Sequence, residues 1–259
     1  LIDFYAVESK TPSPVVIFWH GGGFVAGDKG SAGRTPIAGL CRENGIAFIS
    51  GNYRFVRGED SEPFPGSLMD GVRTVQYVRS RAKEWNIDPD RIVLSGSSAG
   101  AVMSLWIAMH DDFADPDSKD PLARISSRVR GVVGYGGPTT MDPAVIVKRV
   151  PGNPDIHGSL GPIFGVESAS ELLKPEHRAK VAEFSPVTHV SQDDPRLFLK
   201  YGMALSDQRY NIHHSKFGLI LLERFQEIGH ASPPLLVCPE GPDAGAAEID
   251  YLKEVFGLK

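Results

Sequence analysis

Two short stretches of this chain carry residues whose types and spacing suit acyl-transfer chemistry. In Gly96-Ser97-Ser98-Ala99-Gly100 a serine stands among small residues, directly after the apolar run Arg91 to Leu94 and directly before a second run, Ala101 to Met109. A strand that turns sharply into a helix pushes its central serine hydroxyl out above a sheet, and small neighbours make that strained turn possible. Ser98 is the expected nucleophile, and the helix N-terminus behind it favours developing negative charge. Five residues alone also fit a plain turn joining strand to helix.

His20-Gly21-Gly22-Gly23, which follows the apolar run Val15 to Trp19, weighs against the plain turn. Glycines let backbone N–H groups approach a ligand oxygen closely. The N–H groups of Gly22, Gly23 and Ala99 would then form an oxyanion hole, where one donor is worth roughly 3–4 kcal/mol. His20 reads as a structural hydrogen-bonder. A dinucleotide-binding reading of Gly21 to Gly23 fails because the third glycine of G-x-G-x-x-G is not matched.

These motifs need a sheet to hold them. Partly β-branched apolar runs recur at Val15 to Trp19, Ile46 to Ser50, Arg91 to Leu94, Val129 to Tyr135, Arg196 to Tyr201 and Leu235 to Cys238, and each predicts a strand covered on both faces. Between them lie helical patterns, as from Gly66 to Lys83, where Leu68, Val72, Val75 and Val78 recur at spacings of three and four. Asn86 to Asp90, Gly45 and Gly229 read as turns and helix ends, and Asp193 and Asp194 as turn residues before a strand. Alternating strand and helix implies a mainly parallel sheet flanked by helices, and 259 residues suit a single α/β domain over 1–259. Periodicity weakens over roughly 139–190, which predicts a small cap insertion.

Composition excludes several classes. The net charge of −5, with scattered Lys and Arg, lacks the basic footprint of a nucleic-acid binder. No apolar run approaches the length of a membrane span. Cys41 and Cys238 are too few for a disulfide framework or a cysteine-based zinc site, and read as small buried hydrophobes. The start at Leu1 without Met reads as trimmed or fragmentary. A cytoplasmic location is slightly favoured, with a secreted or periplasmic one open if a signal peptide was removed. Oligomeric state is not legible.

His20 to Phe24 with Gly27-Asp28-Lys29, Asn52-Tyr53-Arg54, and Asp88 to Ile92 leading into Gly96 to Gly100 together resemble the hormone-sensitive-lipase-like and bacterial feruloyl-esterase-like carboxylesterases of the α/β-hydrolase superfamily. The resemblance runs from about Asp3 to Val133 and continues more faintly to the C-terminus. It implies hydrolysis of carboxylic esters, small or aromatic, with neither metal nor organic cofactor. It also implies one or two more strands ahead of Val15, so that edge of the sheet is expected to be missing or differently built.

In that family the acid follows the next-to-last strand and the histidine follows the last one. Asp207 stands where the acid belongs, at a slightly longer offset. After Leu235 to Cys238, however, the loop Pro239 to Gly245 contains no histidine, and Asp243 occupies the expected position. An aspartate cannot relay a serine proton at neutral pH unless its pKa is strongly raised. A base must then come from elsewhere. His213 and His214 follow the strand Arg196 to Tyr201, at the same end of the sheet as Ser98, and are the candidates, against a plainer role bonding backbone or water. His230 falls at the opposite end. His110, His157, His177 and His189 receive no role. Two functions compete: a serine carboxylesterase, and a ligand-binding protein on an impaired hydrolase frame, as in the gibberellin receptors, which lack the triad histidine.

Overall fold

The computed structural model describes residues 1–57, 64–152, 160–239 and 244–258. Seven strands form one sheet: β1 (Ile2–Tyr5), β2 (Ser13–Trp19), β3 (Ala47–Gly51), β4 (Ile87–Ser97), β5 (Gly131–Tyr135), β6 (Arg196–Lys200) and β7 (Leu235–Val237), in spatial order β1-β3-β2-β4-β5-β6-β7. Every neighbouring pair is parallel except β1 with β3. All residues of β2 and β3 are buried, as expected of strands with helices on both faces.

Two differences from the sequence expectation concern strands. The sheet begins earlier, because Ile2 to Tyr5 supplies an antiparallel edge strand paired with Gly51 to Phe48. Its four residues are half-buried or exposed, so it lacks the apolar signature of the covered strands. Strand β4 also starts earlier, at Ile87 within the predicted turn. Its first residues pair with Ser13 across a register shift before regular pairing resumes at Val15 and Ile92, and the shift absorbs Asp88-Pro89-Asp90.

The helices are α1 (Pro36–Glu43), α2 (Gly66–Ser80), α3 (Ala82–Trp85), α4 (Ala99–Met109), α5 (Pro143–Arg149), α6 (Leu160–Phe164), α7 (Arg178–Phe184), α8 (Lys216–Glu227) and α9 (Ala244–Phe256). Helix α4 is buried along its whole length, which is why its sequence is apolar all round rather than striped. One face of the sheet packs beneath α2, α4 and α8, where Trp106, Phe217 and Phe225 are buried. The other carries α1 and α9 over Val16, Phe48 and Phe198. The Tyr251 hydroxyl pins α9 to the sheet, donating to the Arg196 carbonyl (2.6 Å) and accepting from the Val132 N–H (3.0 Å). The chain between β5 and β6, where a cap insertion is expected, forms α5, α6, α7 and short 3₁₀ turns. Such short pieces explain the missing periodicity. Among the described residues no helix is long and apolar enough to cross a membrane.

Candidate active site

Strand β4 ends at Ser97 and α4 begins at Ala99, leaving Ser98 between them with φ 53° and ψ −114°. A non-glycine residue with positive φ is strained by about 1–3 kcal/mol and persists only where its surroundings enforce it. Here the enforcement is steric and polar. A Cβ on Gly100 would lie 2.0 Å from the Trp19 carbonyl oxygen, and one on Gly96 would lie 2.2 Å from the Gly100 carbonyl carbon, so only glycine permits so tight a turn. The Ser98 N–H donates to the Tyr135 carbonyl (2.8 Å). Its side chain does not cap α4.

The Ser98 hydroxyl instead meets His213, whose Nε2 lies 2.9 Å from Ser98 Oγ. His213 follows β6 in a turn held by Asn211, whose Oδ1 accepts from the His213 N–H (2.8 Å). An Asn that bonds the backbone two residues on is a turn signal legible in sequence. Gly136, at φ 58°, leaves space for the imidazole, since a Cβ there would stand 3.2 Å from His213 Cβ.

His214 points away from the serine and is completely buried. Its Nδ1 accepts from the Lys216 N–H (3.0 Å), and its Nε2 donates to the Asp207 carbonyl (3.1 Å). With both ring nitrogens bonded to backbone, His214 fits the plainer of its two expected roles. The Asp207 carboxylate is engaged by Arg209, accepting from its backbone N–H (2.9 Å), its Nε (3.1 Å) and its Nη2 (2.6 Å). Those bonds, Arg209's side chain first, hold the Asp207 carboxyl well below the usual carboxylate range. Asp207 thus braces the turn that carries His213 and His214. Asp243 and His157 lie outside the described residues, and His230 sits just ahead of β7, its Nδ1 accepting from the Ser232 N–H (3.0 Å).

Gly22 and Gly23 have φ of 115° and 60°, and the Gly22 carbonyl closes the turn by accepting from Val25 and Ala26. A cradle of the remaining motif residues holds this loop. Asn52 Oδ1 accepts from the Lys29 N–H (2.6 Å), and Asn52 Nδ2 donates to Asp28 (3.0 Å). Lys29 pairs with Asp3, and Arg54 forms a forked pair with Asp70. His20 Nδ1 donates to the Gly21 carbonyl (2.7 Å) while its ring stacks on Tyr53, a structural role as expected.

Gly22, Gly23, Ser98, Ala99 and His213 line one cavity of about 420 Å³. Ala99 is the first residue of α4, so its N–H has no acceptor within the helix. The other walls are apolar, and Met141, Leu160, Ile163 and Phe184 come from the stretch between β5 and β6. None of these four carries a site signal in its local sequence. Their positions follow from how short helices fold back over the sheet, which local periodicity does not encode.

The model of the BD-FAE family matches residues 2–217. The chain belongs to the BD-FAE family. The probable carboxylic ester hydrolase LipM of Mycobacterium tuberculosis is 25% identical to this BD-FAE member over 196 residues, covering 73% of the chain and 41% of LipM. Esterase LipI of the same organism is 30% identical over 103 residues, 38% of the chain and 30% of LipI. The chain therefore spans well under half the length of these two relatives. In fold, the BD-FAE chain is similar to an acetyl ester-xyloside bifunctional hydrolase from Caldicellulosiruptor lactoaceticus (TM-score 0.72, 24% identity, 99% of this chain and 84% of that one). It is likewise similar to a truncated carbohydrate esterase from gut microbiota (TM-score 0.78, 21% identity, 99% and 90%). This BD-FAE member has the α/β-hydrolase fold.

Proposed function

We propose that this protein is a serine carboxylesterase in which Ser98 is the nucleophile and His213 the general base. The observation that carries the proposal is the 2.9 Å separation of His213 Nε2 from Ser98 Oγ, within reach for direct proton transfer. His213 Nε2 takes the Ser98 proton as Oγ attacks the ester carbonyl. The N–H groups of Gly22, Gly23 and Ala99 receive the oxyanion at the wall of the same cavity. His213 then gives the proton to the departing alkoxide, and a water activated by the same imidazole releases the acid and restores Ser98. The α4 N-terminus adds favourable field at the oxyanion. Asp207 acts as a positioning residue, holding the loop on which His213 rides.

None of the described residues lining the cavity is Asp, Glu, Lys or Arg, and polar atoms concentrate at the serine end. The cavity therefore suits a small ester with an uncharged, apolar acyl group, such as a butyrate. The ligand-binding alternative rested on the missing histidine after the last strand, and a histidine already bonded to the serine supports the enzyme reading.

The test is the rate of p-nitrophenyl butyrate hydrolysis by the protein, its Ser98→Ala variant and its His213→Gln variant from pH 6 to 9. The wild type is expected to exceed both variants by about 10⁴-fold or more. Rates that coincide in folded proteins overturn the proposal.

A further inference from the structure

Helix α4 carries the serine at its beginning and a second group of functional side chains at its end. His110 follows Met109 as the C-cap residue. Beside it lie Glu183, in α7, and His189, at the end of the 3₁₀ turn Pro186–His189. One ligand atom from each of the three lies within 4.8 Å of the other two, the only such His/Cys/Asp/Glu group of three found among the described residues. The hydrolytic site uses none of them.

Hydrogen bonding prepares this group for a cation. His110 Nδ1 lies 3.0 Å from the Trp106 carbonyl. A carbonyl only accepts, so Nδ1 carries a proton, and in the neutral imidazole Nε2 then holds the lone pair that a metal ion needs. Nε2 stands 3.1 Å from Glu183 Oε1, a spacing at which the two atoms share either a proton or a cation. Tetrahedral zinc with ligand bonds of about 2.0–2.1 Å needs ligand atoms about 3.3 Å apart, and the His110–Glu183 pair already meets that spacing. His189 is tied to the same residue, its Nε2 lying 2.8 Å from the Glu183 carbonyl. That carbonyl also accepts from Trp106 Nε1 (2.8 Å). The rings of His110 and His189 are 3.7 Å apart between centroids. Backbone carbonyls that fix imidazole tautomer and orientation are the usual outer support of metal-binding histidines. The C-terminal end of α4 adds negative potential, which favours a cation.

We infer that His110, Glu183 and His189 form a binding site for one divalent transition-metal ion of the zinc type, which clamps the α7 segment to the end of α4. Two imidazoles and one carboxylate are the donor set that zinc and its neighbours prefer over magnesium or calcium. The fourth position is open to water, because the Glu183 side chain is 46% exposed. The clamp reaches the hydrolytic cavity through one residue, since Phe184, next to Glu183, lines its wall.

The test titrates the full chain with Zn²⁺ in competition with a chromophoric chelator, and with Co²⁺ followed by its visible spectrum. Wild type is compared with His110→Phe, Glu183→Gln, His189→Phe and Ser98→Ala. Expected are one Zn²⁺ per chain, a tetrahedral-type Co²⁺ spectrum, and a rise in Tm with either metal. Affinity is expected to fall about tenfold or more in each of the first three variants and to hold in Ser98→Ala. His110→Phe keeps a ring against Trp106 and Phe113. Glu183→Gln alters an exposed side chain and keeps the backbone carbonyl, so it decides the matter if a histidine variant fails to fold. Absence of submillimolar Zn²⁺ binding in the wild type, or equal binding in Glu183→Gln, overturns the inference and leaves an imidazolium–carboxylate ion pair.

Discussion

The two ends of α4 present opposite electrostatic problems solved with the same side chain. At the N-terminal end Ser98 stands where helix N–H groups point outward, and an imidazole meets the serine hydroxyl. At the C-terminal end, about 16 Å away at 1.5 Å per residue, carbonyls point outward, and one imidazole meets the Glu183 carboxylate while a second meets the Glu183 backbone carbonyl. The first end is arranged for developing negative charge and the second for a cation, as the helix dipole dictates. A histidine's task is thus set by the groups that face it and by the helix end beside it, and little by the residue type.

The largest expected effect breaks the N-terminal end alone. Ser98→Ala and His213→Ala should each lower kcat for p-nitrophenyl butyrate by about 10⁴–10⁶-fold. The double variant should lose little more, since residues acting as a unit are not additive. Steady-state rates of the three variants check this, and losses that multiply would show that the two side chains do not work together. Next in size is the independence of the two ends: His110→Phe should change the esterase rate by less than about threefold while Zn²⁺ retention falls about tenfold or more. Parallel loss of both would mean that the clamp also shapes the cavity wall through Phe184.

A smaller effect concerns the cavity itself. Ile212 lines it beside His213, and Ile212→Ala should lower the preference for butyrate over acetate by about three- to tenfold, on the scale of ~0.8 kcal/mol per buried methylene. The ratio of kcat/KM for the two esters reads this, and an unchanged ratio would place the acyl chain elsewhere.

The smallest effect should come from Asp207→Asn. Arg209 occupies that carboxylate, so kcat is expected to fall less than about tenfold, against about 10⁴-fold for loss of an acid that orients a triad histidine. Its folded-state carboxyl is depressed below its ordinary value. The stability it contributes is therefore complete above about pH 4 and lost as the pH falls further. The variant should accordingly show a flatter acid limb in a plot of Tm against pH, and an unaltered limb would count against the Arg209 brace.

The strands legible in sequence were those buried on both faces, because unbroken apolar runs such as Val15 to Trp19 carry their own signal. The edge strand Ile2 to Tyr5, half-exposed, gave none. Ser98 and the Gly22-Gly23 turn were legible for a related reason. The strained elbow and the close backbone approach demand glycine at particular offsets, and that demand is written in contiguous residues. What contiguous residues could not decide was which histidine meets the serine, since His213 and His214 are adjacent and only the turn at Asn211 sends one to Ser98 and the other to backbone. Nor could they bring His110 to Glu183 and His189, more than seventy residues apart. Local sterics determine turns and buried strands, and these the sequence expresses by itself. Partners that come from separate elements are set by how helices pack over the sheet, and only the tertiary structure decides that.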